Sequence, residues 1–320
     1  MRRLLSFVIT ILLFASVATL ALSENTDEEL SERFKTNTIE YNGVTYRPRS
    51  RIETILILGT DMREGTDPTS IHSQIQADFL MLLAIDDDRK TVTPIRINRD
   101  TMCTIPAQML SGDFREGEGQ IAIAFSSSTS LVQGCELTAQ AVSNLFNGIR
   151  IDHYYSLNMD GIGALNDAIG GVTVTIPDDM THYDPEMVQG ATIKLNGQQA
   201  HYFVRSRYYI GDESNVSRMR RQRMYIEGAK LILVKKLRDN PNSFGDLYDT
   251  LQDYVTTDMS KGRIINLASK VQRYDVSDSL TLEGENIIGT FGYVEFYPDE
   301  ESLMKIILST FFDSVSQEVG

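Results

Sequence analysis

Tryptophan is absent from this 320-residue chain, and histidine and cysteine are scarce, with four and two copies. The four histidines, His72, His153, His182 and His201, lie far apart without metal-ligand spacing, which argues against a histidine metal site. Two cysteines, Cys103 and Cys135, are too few for a zinc site of their own. Basic residues are the minority charge, 30 Lys and Arg against 44 Asp and Glu, for a net charge of −14. Nucleic-acid modules carry positive charge along the binding face, so this balance speaks against nucleic acid as a partner. There is no internal repeat and no long low-complexity tract. What remains is a chain with 42% hydrophobic residues, long enough for one large domain or two smaller ones.

Long hydrophobic runs are equally rare. The N-terminal one, LLSFVITILLFASVATLAL from Leu4 to Leu22, has 19 uncharged residues, about the minimum that crosses a bilayer as a helix. Arg2 and Arg3 precede it and the acidic SENTDEELSE follows. The positive-inside tendency then puts the N-terminus in the cytoplasm and the remainder outside. A cleaved signal peptide, with small residues around Ala21 and Ser23, is the competing reading. Both export the body of the protein. The expected organisation is a membrane anchor over 1–23, a polar spacer over 24–50 that ends in a short hairpin at Asn42-Gly43, and a globular body over 51–320. No composition break splits that body. An exported compartment permits a disulfide, and Cys103–Cys135 is the expected pair.

Within the body, TILILGT (54–60), DFLMLLAID (78–86) and TVTPIRINR (91–99) read as strands. LTAQAVSNLF (137–146) has helical spacing, HYYSLNM (153–159) reads as a strand, GIGALNDAIGG (161–171) as a helix ended by glycine, and VTVTIP (172–177) as a strand. NGQQAHYFVRSR (196–207) reads as a helical turn passing into an extended piece. The segment 217–240 has the strongest helical pattern. Helices are expected near 243–254, 260–273 and 299–312, and strands near 275–282 and 291–297. Interleaved strands and helices predict an α/β body with a mixed sheet.

The chemistry-bearing residues fall into two groups. Six arginines lie between Arg205 and Arg223, in an otherwise acidic chain. Guanidinium groups in such a cluster suit carboxylate or phosphate. If 205–207 is extended, Arg205 and Arg207 share a face. On a helix Arg218 projects with Arg221 and Gln222, close to an N-terminus that also favours anions. Arg220 and Arg223 read instead as a solvated face paired with nearby acids. The second group is acidic: Asp61 in GTDMR, Asp78 in QADFL and Asp100 in NRDT, with Arg63 and Arg99 beside them. All sit at expected strand ends, where α/β proteins build sites. Carboxylates of this kind hold Mg²⁺ and share it with phosphate oxygens.

The segments ILILGTDMR, ADFLMLLAID, INRDTM, IAIAF, IDHYYSLNMDGIGALNDAIGGVTVTIP, LNGQQAHYFVRSR and SRMRRQR occur in an order and spacing that resembles the LytR-CpsA-Psr family, from about Ile55 to Tyr225. The resemblance implies a three-layer α/β/α fold with a hydrophobic pocket for a polyprenyl tail. It implies a Gram-positive type, outward-facing membrane enzyme that moves a glycopolymer, such as wall teichoic acid or capsule, from an undecaprenyl-pyrophosphate carrier to peptidoglycan. By match to the family's motifs, Asp61 and Asp78 are the Mg²⁺ aspartates. Arg63, Arg99, Arg205, Arg207, Arg218 and Gln222 form the pyrophosphate-binding set, and Asp61, Arg99 and Asp100 are the catalytic candidates, with Asp100 or Asp61 as proton acceptor. Two positions depart from the family pattern: Gln76-Ala77-Asp78 stands where Arg-Ser-Asp is usual, and Asn215 where an Asp is usual. Arg96 or Arg51 is the candidate replacement for the missing arginine, and Asp212 for the acid. A non-catalytic, lipid-pyrophosphate-binding regulator of the envelope is the alternative reading.

Overall fold

The chain enters the fold through a two-residue turn. Asn42 and Gly43 both have positive φ, 49° and 76°, the combination a tight hairpin demands and one that glycine adopts without strain. They join β1 (Ile39–Tyr41) to β2 (Val44–Pro48). The computed structural model describes residues 38–61, 75–108, 111, 113–206, 208–211, 213, 215–240 and 243–315. The expected anchor Leu4–Leu22, together with Arg63, Arg207 and Asp212, lies outside the described residues. Among the described residues no helix is long and apolar enough to cross a membrane.

Three long strands follow: β3 (Ile52–Asp61), β4 (Gln76–Asp86) and β5 (Thr91–Ile97). Their apolar runs are buried, with Leu56, Leu58, Leu82, Ile85 and Ile95 among the fully enclosed side chains. A hairpin, β6 (Met102–Gln108) and β7 (Phe114–Gln120), leads to α1 (Ile123–Ser126) and α2 (Leu131–Leu145). The α2 start is fixed by Ser130, whose hydroxyl accepts from Gln133 N at 3.2 Å, a standard N-cap. Cys135, Thr138, Ala141, Val142 and Leu145 form its buried stripe, spaced as a helix face requires. Next comes β8 (His153–Asn158).

From Leu157 the chain builds a separate compact unit, Leu157–Val255 with Ser260–Gln272. It contains α3 (Gly161–Ile169), the small ladder β9 (Thr173–Thr175) with β10 (Thr192–Lys194), α4 (Gly197–Arg205), the long α5 (Asn215–Asp239), α6 (Ser243–Leu251) and, after β11 (Val255–Thr257), α7 (Lys261–Val271). Leu165, Ile169, Val172, Phe203, Val204, Tyr225, Ala229 and Leu233 fill its core. The chain ends in β12 (Asp275–Val276), β13 (Leu280–Thr281), the hairpin β14 (Gly284–Ile288) and β15 (Val294–Pro298), α8 (Glu300–Phe311) and β16 (Phe312–Val315), which return to the other unit.

The principal sheet has seven strands in the order β11-β8-β3-β4-β5-β12, with β13 also on β5. β3, β4 and β5 run antiparallel in turn, and β12 and β13 run parallel to β5, so the expected mixed sheet is present. β16 pairs with β2, making a three-stranded ribbon with β1. Residues 39–48, expected to close a polar spacer, are thus strands of the folded body. Arg49 fastens them: it donates to the carbonyls of Thr310 at 2.7 Å and Ser309 at 3.1 Å, and to Asp313 at 3.0 Å. A cation is thereby placed on the orphan carbonyls at the end of α8.

The expected disulfide is not formed; Cys103 and Cys135 are both free thiols. Cys103, on β6, directs its sulfur to the Ala141 carbonyl at 4.0 Å. Ala141 lies six residues beyond Cys135 on α2, about 9 Å along the axis at ~1.5 Å per residue. Cys135 is fully buried, with Ser156 as its hydrogen-bond partner. A disulfide would need the two sulfurs about 2 Å apart. Burial, with Glu118 nearby, pushes the Cys103 thiol up to about 12, and burial also pushes Cys135 up, so neither is a reactive thiolate. Titration with a thiol reagent without reductant is therefore expected to find both thiols in urea and almost none in the native protein. A chain with no reactive thiol in urea, and two after reduction, would restore the disulfide.

Candidate active site

The first cluster grows from a break in the β3–β4 ladder. Gly59 faces Phe79, but Thr60 faces Ala77 and Asp61 faces Gln76, so Asp78 is the extra residue of a β-bulge. Gly59 fits because a Cβ there would lie 3.0 Å from the Phe79 Cβ. A bulge re-aims the side chain at its extra residue, here a carboxylate. Asp61 takes its register position directly across from Gln76, at the end of β3.

After β5 the chain turns through Asn98-Arg99-Asp100-Thr101. Asn98 closes this turn locally: its Oδ1 accepts from Asp100 N at 3.0 Å, and its carbonyl accepts from Thr101 N at 3.0 Å and Thr101 Oγ1 at 2.7 Å. This is the side-chain-mimics-backbone turn typical of asparagine. It presents Arg99 and Asp100 on consecutive positions. One Arg99 terminal nitrogen donates to the Asp78 carboxylate and the other to Gln76 Oε1 at 2.5 Å. Its Nε lies 3.5 Å from Asp100 Oδ1. Asp61, Gln76, Asp78, Arg99 and Asp100 are thus drawn to one end of β3, β4 and β5. Gln76, the apparent departure, takes part in the network as an acceptor for Arg99.

Gln120 was not singled out in the sequence. It is the residue just before IAIAF, and its Nε2 donates to Asp100 Oδ1 at 3.3 Å and to the Val294 carbonyl at 2.6 Å. Phe296 N donates to the Asp100 carbonyl at 2.8 Å. Burial raises the Asp100 carboxyl above its ordinary value, against the lowering effect of Arg99. A carboxylate with a raised pKa is a better proton acceptor near neutral pH.

Of the two replacements suggested for the missing arginine, Arg51 lies at the opposite end of β3 from this cluster and Arg96 is engaged by a ring beside it. Arg51 precedes β3, whose far end carries Asp61, and it pairs with Asp88 at 3.1 Å. Ten strand residues separate the two ends, roughly 30 Å at ~3.3 Å each. Arg96 lies over the Phe79 ring, 6.0 Å from its centroid.

The second cluster belongs to the unit of α3–α7. The segment 197–205 is helical throughout, not a turn entering a strand. Asn196 and Gln199 form a capping box, and Ala200, Phe203 and Val204 are buried at helical spacing. Arg205 is therefore the last residue of α4, and the shared strand face expected for Arg205 and Arg207 does not exist; the structure does not describe Arg207. Arg205 Nη1 lies 3.1 Å from Asp160 Oδ1 and 3.3 Å from His201 Nε2, and His201 in turn lies 3.3 Å from Asp160. Gln222, on α5, donates through Nε2 to the Val204 carbonyl at 3.1 Å. Arg218 stands one turn before Gln222 on the same face. Gln222 thus bonds to the residue before Arg205 at the end of α4, with Arg218 one turn earlier on α5.

Arg221 turns inward. It is 1% exposed and donates to the carbonyls of Phe203, at 2.9 Å, and Ser206, and to Ser217 Oγ at 2.9 Å. Arg220 takes the reading expected of it: its Nη2 contacts both Asp178 oxygens at 2.8 Å. Burial pushes the Asp178 carboxyl up, but Arg220, Ser217 and Arg221 outweigh that and hold it below its ordinary value. Much of the arginine cluster is therefore spent on the fold.

The LytR_cpsA_psr family profile matches residues 13–309. The chain belongs to the LytR_cpsA_psr family. Among family relatives, the polyisoprenyl-teichoic acid–peptidoglycan teichoic acid transferase TagU of Oceanobacillus iheyensis is 29% identical over 254 residues, 77% of this chain and 72% of that protein. Biofilm regulatory protein A of Streptococcus mutans is 27% identical over 179 residues, 54% of this chain; the match spans only 42% of that longer protein. The fold is similar to that of TagT solved bound to LI-WTA, with a TM-score of 0.58 at 19% identity over 91% of this chain and 98% of that one. B. subtilis TagV gives 0.57 at 22% identity, covering 82% and 96%.

Proposed function

We propose that this LytR_cpsA_psr protein is a membrane-anchored phosphotransferase that moves a glycopolymer from an undecaprenyl-pyrophosphate carrier to peptidoglycan on the outer face of the cell membrane. The family and the TagU relatives support transfer to peptidoglycan. The observation that carries the assignment of chemistry is the Arg99 fork on Gln76 and Asp78 beside Asp100. Leu4–Leu22 is the anchor in this reading, and the body, a three-layer α/β/α domain, begins at β1.

The pyrophosphate is held by Arg63, Arg99, Arg205, Arg207, Arg218 and Gln222, guanidinium groups being suited to paired contacts with phosphate. Asp61 and Asp78 would hold Mg²⁺. The donor chemistry fits, because Mg²⁺ takes hard oxygens and needs only one or two protein carboxylates beside phosphate oxygens; the ion supplies charge neutralisation on the pyrophosphate. Asp100, oriented by Gln120 and raised in pKa by burial, accepts the proton of the acceptor hydroxyl, the C6 hydroxyl of N-acetylmuramic acid. The freed oxygen forms a bond to the glycan-side phosphorus. The bond from that phosphorus to the bridging oxygen breaks, and undecaprenyl phosphate leaves with the electron pair.

The test is incubation of the full chain with a polyprenyl-pyrophosphate-linked saccharide, Mg²⁺ and peptidoglycan oligomers, read by mass spectrometry. A saccharide–phosphate–peptidoglycan product that requires Mg²⁺ is expected. Thermal protection by the lipid pyrophosphate without product would favour the second reading, a binding protein that regulates the envelope; the Streptococcus mutans relative is named a regulatory protein. The pH–rate profile should show an acidic limb above the ordinary aspartate range, and Asp100→Asn should lose both the limb and most of the rate. Stability should move the other way. A folded-state pKa raised above the unfolded value means that stability is present at low pH and is lost as pH rises through the folded value. Asp100→Asn is therefore expected to unfold at a slightly higher temperature than the parent at pH 7. A lower unfolding temperature would show that the carboxylate is a net structural asset.

A further inference from the structure

We propose that the tip of the β14–β15 hairpin is a membrane-contacting surface that seats in the interfacial layer of a phospholipid leaflet. The hairpin has a docked base and an undocked tip. At the base Phe296 is buried in the core, its amide is bonded to the Asp100 carbonyl, and the Val294 carbonyl is held by Gln120. Beyond that the ribbon runs out past its supports. Ile288 is 70% exposed, Phe291 86% and Tyr293 70%, with Ile287 and Val294 also exposed. The stretch Ile287–Val294, IIGTFGYV, carries no charge. It is nonetheless ordered by its own bonds: Gly289 N donates to the Tyr293 carbonyl at 2.8 Å and Gly292 N to the Gly289 carbonyl at 2.9 Å. Gly292 supplies the positive φ, 79°, that the turn needs.

A two-stranded ribbon is marginal in water by itself, and an aliphatic and aromatic tip is the composition that favours the bilayer interface; the Glu295 carboxylate beside Gly289 accepts from the Tyr297 hydroxyl at 2.9 Å. The occupant follows from the tether. Sixteen residues separate Leu22 from Ile39, an extended reach of at most roughly 55 Å at about 3.4 Å per residue. If Leu4–Leu22 spans a bilayer, the folded body stays within that distance of a leaflet. The net charge of −14 gives no attraction to anionic headgroups, so seating must be apolar, and it should persist on zwitterionic lipid and at high salt. The inference thus rests on the anchor reading of the proposed function, but not on the transfer chemistry.

The parent lacks tryptophan, so one introduced indole reports alone. Phe291→Trp and, as a reference, Leu231→Trp, at a 72% exposed α5 position, are made in the full chain and reconstituted into phosphatidylcholine vesicles with brominated acyl chains. Both chains should float with the vesicles. Phe291→Trp emission should be blue-shifted and quenched by the bromine, with the Leu231→Trp reference unshifted and unquenched. Adding Ile288→Ser or Tyr293→Ser to Phe291→Trp should weaken lipid contact by several-fold, up to roughly tenfold, as apolar area is lost. Flotation with no quenching, or quenching equal to the reference, would overturn the inference and leave the anchor standing. A blue shift without quenching would overturn it in favour of a second copy of the chain. Loss of flotation would remove both the anchor and the membrane seat.

Discussion

Arg221→Ala is expected to destabilise the protein by about 3 kcal/mol or more, the cost typical of breaking a buried, hydrogen-bonded charge. The last carbonyls of α4 have no partner within the helix. Arg221 supplies one from α5: its guanidinium reaches the carbonyls of Phe203 and Ser206 and the Ser217 hydroxyl, and Gln222 takes the Val204 carbonyl between them. The positive charge also sits at the negative end of the α4 dipole. Alanine leaves those carbonyls buried and unbonded. Asp178 is less affected, because Arg220 still holds both of its oxygens; this keeps the cost nearer 3 than 5 kcal/mol. Arg221→Met, which restores most of the volume without donors, should recover less than half of the loss. Arg221→Lys should also fail, since one ammonium cannot reproduce the fork. Urea unfolding of the three variants measures this. A Met variant as stable as the parent would show that packing, not the carbonyl cap, is what Arg221 provides.

That result bears on what the sequence could disclose. A dense arginine segment in an acidic chain reads as an anion site, and the pattern does not separate an arginine that meets a ligand from one that meets a helix end. Arg49 and Arg221 both serve helix C-termini, and their partners are backbone carbonyls, which leave no residue signature. The extent of α4 was obscured for a related reason. Tyr202, Phe203 and Val204 are strand-favouring types, but the capping box at Asn196 and Gln199 nucleates a helix that Ala200, Phe203 and Val204 then bury. The central strands β3, β4 and β5 were legible because they are buried and their apolar runs are continuous. The β6–β7 hairpin was not: FREGEGQ is polar and mostly exposed, and only its pairing with β6 makes it a strand. The strand-end aspartates and Arg99 were legible as a group, whereas Gln120 and the β14–β15 hairpin reach Asp100 from 20 and roughly 195 positions away, beyond any local pattern.

Arg99→Ala should lower transfer by about 10²-fold or more, the scale at which losing one positioned electrostatic donor to a developing anion is felt, while leaving the fold nearly intact. The side chain of Arg99 is about a third exposed and that of its partner Asp78 about a quarter, and ion pairs this close to solvent contribute about 0–1 kcal/mol. The functional loss has two parts. In the proposed reaction the pyrophosphate loses a planar fork, so Arg99→Lys should not restore the rate. The proton acceptor also changes. Arg99 lowers the Asp100 pKa against the raising effect of burial, so removing it lets burial act unopposed and Asp100 binds its proton more tightly. The acidic limb of the pH–rate profile should therefore move to higher pH in Arg99→Ala, and raising the pH should recover a small fraction of the deficit. A substitution that acted only through misfolding would lower the unfolding temperature and leave the limb in place. An Arg99→Ala protein that transfers at more than about a third of the parental rate would remove Arg99 from the site, since losing a positioned donor typically costs about 10²-fold or more.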